Sequence, residues 1–147
     1  CIAVDPWFLI NNYPTSTTLL KTARKVNEDK TNWVINKISK KIDHTVKTSK
    51  KDKIDVTIYG ITFKPDVDDI RESPALRIAQ SLSHLSCINL SICEPNLPEE
   101  RIRDLGFLKS QDGHLSESDL NLVLVAHKNF ESFKLDREVT MNFTSDL

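Results

Sequence analysis

The sequence has no run of apolar residues long enough to span a lipid bilayer, which takes about 20 of them. Its N-terminus also lacks the basic region and the unbroken apolar core of a secretory signal peptide. Charge of either sign is in balance, because 20 Lys and Arg against 21 Asp and Glu leave a formal net charge of −1. We therefore expect neither a membrane span nor a basic surface that binds nucleic acid or anionic lipid.

Cysteine is scarce and odd in number, at Cys1, Cys87 and Cys93. A disulfide framework needs a larger and paired set, so the composition favours the reducing cytoplasm. Five residues separate Cys87 from Cys93, whereas the cysteine pairs of structural zinc sites are separated by about two to four. We therefore predict no bound metal ion.

Methionine occurs only once, at Met141, and the chain opens with Cys1 directly into an apolar segment. We therefore expect the sequence to be part of a longer protein. Its best internal boundary is the basic segment KTSKKDK at 47–53. This predicts two parts: residues 1–50, the end of a helical region, and residues 51–147, a domain of their own.

Residues 15–48 are predicted to form one long helix, because apolar residues recur at steps of three, four and seven. The stripe consists of Leu19, Ala23, Val26, Trp33, Ile38 and Ile42. A helix longer than a small domain needs commonly pairs with a partner helix, so the pattern indicates a subunit interface. Arg24 and Asn27, on the polar face, could reach a ligand, although such residues are more often solvated.

From residue 54 onwards, strand and helix patterns alternate. Strands are predicted at Ile54–Tyr59, Ile88–Cys93 and 120–126, and a helix is predicted at 73–85. Weaker patterns indicate a short helix or turn at 97–105, a helical turn at 129–133 and a last strand at 139–143. The alternation predicts an α/β fold with a parallel sheet, in which the apolar third strand is buried on both faces.

There is no GxGxxG and no P-loop motif, so the chain carries no complete dinucleotide fingerprint. In open parallel sheets, however, ligands bind at the carboxyl ends of the strands. Those ends are residues 60–71, 94–96 and 127–130, and their convergence favours a nucleotide-type site. His127 could be catalytic there, although a hydrogen-bonded structural histidine is the commoner case.

The first of these loops, GITFKPDVDDIRESPA at 60–75, is the most charged. Gly60 permits a tight exit from the strand. Lys64 is a point charge suited to phosphate, and Arg71 is a rigid fork suited to phosphate or carboxylate. Four neighbouring acids can hold these cations, which argues against a magnesium cluster. Ser73, followed by proline, can cap the next helix, so a charged loop with a well-capped helix is the alternative.

Cys1 and Asp5 are four residues apart in the opening segment CIAVDPWF. One helical turn would place the thiol beside the carboxylate, where the carboxylate could tune the thiol or position water. The alternative is a buried cysteine and a helix-capping aspartate.

Five segments resemble, in order, the UDP-glucose/GDP-mannose dehydrogenase family: CIAVDPWF, TARKVNEDK, GITFKPDVDDIRESPA, CEPN and LVAHKNF. The first is similar to the segment with that family's catalytic cysteine, and the third to the signature of its C-terminal domain. The resemblance extends from Cys1 to about Phe130. It implies a Rossmann-like UDP-binding domain that follows a central helix, here residues 15–48, through which two subunits dimerise.

The resemblance also implies an activity: the oxidation of a UDP-sugar at C6, from alcohol to carboxylate, in two hydride transfers to NAD⁺. Cys1 matches the nucleophile that forms a thiohemiacetal and then a thioester, and Asp5 matches an acid that assists proton transfer. Phe63 and Lys64 match residues that contact the UDP-sugar, and Arg71 matches one that reaches NAD⁺. The family's N-terminal NAD⁺-binding domain is missing, so we expect this part to be inactive alone.

One departure concerns the end of the domain, which reads MNFTSDL where the family has an Asp-x-x-Gly-type strand exit and a basic substrate residue. Two alternatives stay open: a sister specificity (UDP-glucose, UDP-N-acetylglucosamine or GDP-mannose), or a non-catalytic nucleotide-binding or dimerisation module. Retention of Cys1, Asp5, Lys64 and Arg71 favours the enzyme, and the cysteine segment favours an N-acetylhexosamine. The resemblance implies a cytoplasmic bacterial enzyme of surface polysaccharide synthesis.

Overall fold

The computed structural model describes residues 4–110, 117–133 and 136–144. Its elements, in chain order, are α1 (Asp5–Asn12), α2 (Thr18–Ser49), β1 (Ile54–Tyr59), α3 (Pro74–Ser83), β2 (Ile88–Cys93), α4 (Glu99–Asp104), β3 (Leu108–Lys109), β4 (Leu120–Val123), a 3₁₀ helix (Lys128–Phe130) and β5 (Thr140–Asn142). The protein is therefore an α/β structure in which a long helix precedes the sheet, as the sequence predicts.

The five strands form one sheet in the order β3-β2-β1-β4-β5, and every neighbouring pair is parallel. β1 lies at the centre, and its pairing with β2 sets Ile54 opposite Ile88 and Tyr59 opposite Cys93. Strand order runs one way from β1 to β3 and the other way from β4 to β5. In open parallel sheets, ligands bind beside such a reversal, at the carboxyl ends of the two strands concerned, which here are β1 and β4.

The two faces of β1 meet different surroundings, because side chains alternate along a strand. Val56 and Ile58 belong to the main hydrophobic core, together with buried residues of α2 and α3. Tyr59 lies in a smaller cluster, where its ring packs edge-on against Phe130 with 5.5 Å between the centroids. The sheet is thus covered by helices on one face and by aromatic residues at the carboxyl end of the other.

The C-terminal half of α2 is the part that packs on the rest of the molecule. Its buried residues follow the helical spacing of an amphipathic face: Thr31, Val34, Ile38 and Ile42. The helix covers nearly the predicted range and ends at Ser49, with Lys50 as its C-cap at a left-handed φ of 55°. The connection to β1 therefore begins at residue 50, so the first part of the basic segment at 47–53 is helical.

The N-terminal half of α2 carries apolar residues that the chain itself does not cover. Leu19, Val26 and Trp33 are 84%, 62% and 48% exposed. They lie seven residues apart, so two helical turns bring each one onto the same side of α2. The single apolar stripe predicted from the sequence therefore divides into a buried part and an exposed part.

β4 is buried at all four of its positions, as predicted for a central strand, but it ends at Val123 instead of residue 126. The reason is a change of direction at the end of β1. The backbone N–H groups of Leu124 and Val125 both donate to the Tyr59 carbonyl oxygen, at 3.0 and 3.3 Å. Because both N–H groups use the same carbonyl oxygen, the chain leaves the regular hydrogen-bond pattern between β1 and β4 and crosses the end of β1.

The remaining elements agree with the weaker patterns. α4 and β5 fall within the predicted ranges 97–105 and 139–143, and the 3₁₀ helix overlaps the predicted turn at 129–133. β3 was not predicted, because two residues produce no periodic pattern. Within the three described ranges, no helix combines the length and the apolar character needed to cross a membrane.

Candidate nucleotide-binding site

Gly60 begins the loop that leaves β1, and its lack of a side chain is required there. Its φ is +81°, a conformation that residues with a β-carbon rarely adopt. A β-carbon on Gly60 would lie 2.5 Å from the Val125 β-carbon and 2.8 Å from the Val125 carbonyl oxygen. The exits from β1 and β4 therefore touch, and the expected convergence of distant loops is present at this point.

Buried polar groups join the three strand exits. Glu94, after β2, accepts a hydrogen bond from the Ile61 backbone N–H at 2.8 Å. His127, after β4, has its Nε2 3.1 Å from Glu94 Oε2, and both side chains are fully buried. The Asp66 backbone N–H donates to His127 Nδ1 at 2.9 Å. His127 is thus a buried, hydrogen-bonded histidine, which is the commoner of the two roles considered for it.

The loop at 60–75 is also held from its far end by Ser73. The Ser73 hydroxyl lies 2.8 Å from the Ile61 carbonyl oxygen, to which it donates, and it accepts from the Leu76 N–H at 3.2 Å. Ser73 therefore caps α3, with Pro74 in the first helical position, as predicted. Across the loop, the Phe63 N–H donates to the Asp69 carbonyl oxygen at 2.7 Å.

Two non-glycine residues in this loop have left-handed backbone angles, Asp66 with φ 60° and Glu72 with φ 56°. Such a conformation is unfavourable for residues with a β-carbon, although aspartate tolerates it better than most. Two hydrogen bonds hold Asp66 in this conformation. Its backbone N–H donates to His127 Nδ1 at 2.9 Å, and its Oδ1 accepts from the Lys128 backbone N–H at 3.0 Å. The loop geometry is therefore fixed by its neighbours.

A cleft of about 630 Å³ lies between the helices α1 and α2 on one side and the loop and α3 on the other. Its lining combines aromatic and charged side chains, among them Trp7, Arg24, Phe63 and Arg77. Phe63 is 39% exposed, an unusual degree for a large apolar residue beside a cleft. Of the residues predicted to contact a ligand, Phe63 and the less favoured Arg24 and Asn27 are the ones brought together here.

Arg24 lies inside this cleft in an unusual environment. Its guanidinium carbon is 5.6 Å from the centroid of the Trp7 ring, within the range of a cation–π contact. Arg24 Nε is buried, and it has no hydrogen-bond partner among the residues that the structure describes. Arg24 therefore connects α1 to α2 while one of its donors stays unsatisfied.

Lys64 and Arg71 do not line the cleft, but both are exposed on the same loop. Arg71 binds Asp69 through two parallel contacts, Nε to Oδ1 at 2.9 Å and Nη2 to Oδ2 at 2.7 Å. These contacts hold the pKa of Asp69 down to about 2 and raise the pKa of Arg71. The prediction that acids of the loop hold its cations is confirmed for this pair. Within the described part of the chain, the Lys64 ammonium forms no ion pair.

The predicted pair of Cys1 and Asp5 is only partly visible. Cys1 lies outside the described residues. Asp5 is exposed in the first turn of α1, followed by Pro6, and the helix is preceded by Val4 as its N-cap. Asp5 is therefore not the capping residue considered as its alternative role. In the described ranges, no group of three histidine, cysteine or acidic residues is arranged to hold a metal ion.

Two features of this site were not predicted from the sequence. One is the pairing of Glu94 with His127, since the sequence places Glu94 only at the end of a strand. The other is Trp7, which the sequence places in an apolar segment with no signal for a cleft. A polar residue directly after an apolar strand is the only local sign that could have marked Glu94.

The UDP binding domain of the UDP-glucose/GDP-mannose dehydrogenase family matches residues 57–146. The match includes the second half of β1, the loop at 60–75 and all the later strands of the sheet. It therefore covers more than half of the chain and contains all three strand exits.

Individual relatives agree with this match. The UDP-N-acetyl-D-mannosamine dehydrogenase of Campylobacter jejuni is 37% identical over 145 residues, which are 95% of this chain and 34% of that protein. The enzyme of the same name from Salmonella typhi is 35% identical over 140 residues, 92% of this chain and 33% of that protein. The chain thus spans about a third of the length of the curated relatives it matches.

Solved structures show the same architecture. A UDP-N-acetyl-mannosamine dehydrogenase from S. aureus superposes with a TM-score of 0.64 at 29% identity, covering 90% of this chain and 31% of its own. A UDP-glucose dehydrogenase from Pyrobaculum islandicum superposes with a TM-score of 0.73 at 19% identity, covering 97% of this chain and 33% of its own, which shows a shared fold. Sequence and architecture agree, and the chain belongs to the UDP-glucose/GDP-mannose dehydrogenase family.

Proposed function

We propose that the chain is the C-terminal part of an NAD-dependent dehydrogenase that oxidises UDP-N-acetyl-D-mannosamine at C6 to UDP-N-acetyl-D-mannosaminuronate. The observation that carries the proposal is the family's UDP binding domain, matched over residues 57–146. The sugar is suggested by relatives of that name at 35% and 37% identity. A relative from Ralstonia nicotianae with another sugar, an NDP-N-acetyl-D-galactosaminuronic acid dehydrogenase, is 33% identical and makes a sister specificity the alternative.

The two parts of the chain take different tasks in this proposal. Residues 51–147 bind the UDP-sugar at the carboxyl edge of the sheet, with Phe63 packing against it and Lys64 meeting the diphosphate. The exposed Lys64 ammonium, with no ion-pair partner in the described ranges, suits that role because a phosphate need not displace a carboxylate. Residues 1–50 supply the nucleophile Cys1 and the acid Asp5.

The chemistry assigned to Cys1 follows from the properties of sulfur. Its thiolate adds to the aldehyde carbon to form a thiohemiacetal, loss of hydride gives a thioester, and water cleaves the thioester to the carboxylate and the free thiol. Asp5 accepts or returns the protons exchanged in these steps. When bound, NAD⁺ supplies the hydride acceptor, two molecules for each sugar.

Arg71 fits a role toward NAD⁺. Asp69 engages only Nε and Nη2, and the Arg71 side chain is 87% exposed, so the guanidinium retains donors for a pyrophosphate. No GxGxxG occurs in the chain, so the rest of the dinucleotide is held by the N-terminal part of the protein in this proposal. The enzyme works in the cytoplasm as a homodimer formed through α2 and serves surface polysaccharide synthesis.

Calorimetric titration with UDP tests the binding role of the chain. We expect UDP to bind, and we expect Lys64→Ala to weaken its affinity about tenfold, because a charge-assisted contact to phosphate is lost. Lys53→Ala is the matched control, since Lys53 is an exposed lysine at the opposite end of β1. Equal affinities of the Lys64 and Lys53 variants for UDP would show that Lys64 does not contact the diphosphate.

The catalytic role of Cys1 is tested in the whole enzyme. Cys1→Ala should abolish NADH formation from UDP-N-acetyl-D-mannosamine while UDP affinity stays within about twofold of the wild-type value, because the nucleophile does not touch the uridine diphosphate. A fully active Cys1→Ala enzyme would remove Cys1 from the mechanism. Activity with UDP-glucose at a higher kcat/KM would establish the sister specificity instead.

A further inference from the structure

We propose that His127 is a positioning residue for nucleotide binding: its Nδ1 holds the backbone of Asp66, and thereby sets the position of Lys64 two residues earlier. The inference rests on the proposed function, in which the loop that carries Lys64 receives the diphosphate. His127 itself is fully buried and acts through the loop.

The hydrogen bonds around His127 determine which ring nitrogen carries the proton. The Asp66 backbone N–H, 2.9 Å away, can only donate, so Nδ1 must accept. The Asn96 side-chain nitrogen lies at the same distance from Nδ1 and supplies a second donor. The ring proton is therefore on Nε2, from which it points to Glu94 Oε2 at 3.1 Å. His127 is thus an acceptor toward the loop and a donor toward the sheet.

Glu94 makes this orientation of the ring the stable one. Its carboxylate is fully buried and accepts from two backbone N–H groups, Ile61 at 2.8 Å and Asn96 at 3.1 Å. A buried carboxylate with an unused lone pair requires a donor, and the His127 Nε2–H provides it. The exits of β1 and β2 thereby fix the tautomer that the loop needs.

Asp66 is the point at which the loop depends on this support. Its φ of 60° is a conformation that a residue with a β-carbon leaves unless neighbours hold it. His127 Nδ1 holds its N–H, and the Lys128 N–H holds its carboxylate at 3.0 Å. Thr62 adds a bond inside the loop, since its hydroxyl donates to the Lys64 carbonyl oxygen at 3.0 Å. Loss of the Nδ1 acceptor therefore releases the Lys64–Asp66 backbone at its least favourable residue.

Two substitutions test the roles of the two ring nitrogens of His127 separately. Asparagine at position 127 places an amide oxygen near the site of Nδ1, so His127→Asn keeps an acceptor for Asp66 and loses the donor to Glu94. Glutamine places an amide nitrogen near the site of Nε2, so His127→Gln keeps the donor to Glu94 and loses the acceptor for Asp66. Both variants are neutral and similar in size, and His44→Gln changes an exposed histidine as the control.

The experiment combines amide hydrogen exchange with calorimetric titration of UDP on the wild-type chain and the three variants. In His127→Gln we expect the Asp66 amide to exchange at least tenfold faster, the Ile61 amide to stay protected, and UDP affinity to fall about tenfold. In His127→Asn we expect the Asp66 amide to stay protected and UDP affinity to stay within about twofold of wild type, although its Tm falls. His44→Gln should match the wild type in every measurement.

The inference is overturned if His127→Gln binds UDP as tightly as the wild type, or if both His127 variants lose affinity in parallel with their loss of Tm. The former result, with a wild-type chain that binds UDP, leaves the proposed function standing. If the wild-type chain binds no UDP, the proposed function fails, and the role of His127 in binding fails with it. The Asp66 exchange rates then show only whether the backbone contact holds the loop.

Discussion

Gly60 and Val125 are in such close contact that no side chain fits between them: a β-carbon on Gly60 would lie 2.5 Å from the β-carbon of Val125. These residues follow β1 and β4, the two strands at which the order of the sheet reverses. The close approach therefore fixes where the chain leaves β1 and β4, at the strand ends that carry the candidate site.

Gly60→Ala should lower the free energy of unfolding by about 3 kcal/mol, because a strained φ and a steric overlap add together. Gly106→Ala is the matched control. Gly106 has a similar φ of +85°, but a β-carbon there would meet nothing within 4 Å, so only the backbone term of about 1 kcal/mol applies. Urea unfolding of the two variants measures the difference. Equal losses would show that Val125 moves aside without cost.

Arg24→Met should leave the free energy of unfolding unchanged or raise it by up to about 2.5 kcal/mol. The substitution removes the contact with Trp7, worth about 0.5 to 1 kcal/mol, but it also removes a buried Nε with no partner in the described ranges, which costs about 1 to 3 kcal/mol.

Lys30→Met is the comparison for that prediction, since Lys30 also lies over an indole ring. Its Nζ is 4.1 Å from the centroid of Trp33, and both residues belong to α2. Lys37 lies 4.9 Å from the same ring and remains after the substitution, so we expect a loss below about 0.5 kcal/mol. Chemical denaturation followed by circular dichroism measures both variants. A loss above about 2 kcal/mol in Arg24→Met would show that Arg24 stabilises the α1–α2 contact.

How much of this molecule could be predicted depended on the range of the interactions that fix each part. β1 and β2 could be predicted to the residue, because each is a β-branched or alternating run between polar residues. The end of β4 could not, since it depends on two amides that share the Tyr59 carbonyl oxygen. The meeting of three loops followed from the parallel order of the strands, whereas the Glu94–His127 bond joins residues 33 positions apart and leaves no local pattern.

The pair of Asp69 and Arg71 provides a test at acid pH. The Arg71 side chain is the largest cause that holds the pKa of Asp69 down from its ordinary value of 3.8 to about 2. Because the folded value is the lower one, the pair contributes stability that is present above about pH 4 and is lost as the pH falls toward 2. Both side chains are exposed, so we expect this contribution to be small.

Carbon NMR titration of the Asp69 carboxyl group measures the shift directly. We expect a midpoint near 2 in the wild type and a return toward 3.8 in Arg71→Gln, with Arg71→Lys in between because an ammonium cannot make both parallel contacts. The same midpoint in all three proteins would mean that the bidentate pair does not persist in solution. Arg71 would then be unconstrained when it meets a ligand.

The exposed line of Leu19, Val26 and Trp33 on α2 provides a test of the proposed homodimer. The heptad spacing gives a narrow apolar seam of the kind that two helices cover by packing together. Val26→Asp would bury a carboxylate at the centre of that seam, so we expect the dimer dissociation constant to rise at least about tenfold. Lys21→Glu is the control, because residue 21 is exposed on another side of α2 and changes the net charge even more. Sedimentation equilibrium measures the dissociation constants. If the wild-type protein is monomeric, or if Val26→Asp and Lys21→Glu have equal dissociation constants, the exposed seam contacts something other than a second copy of the chain.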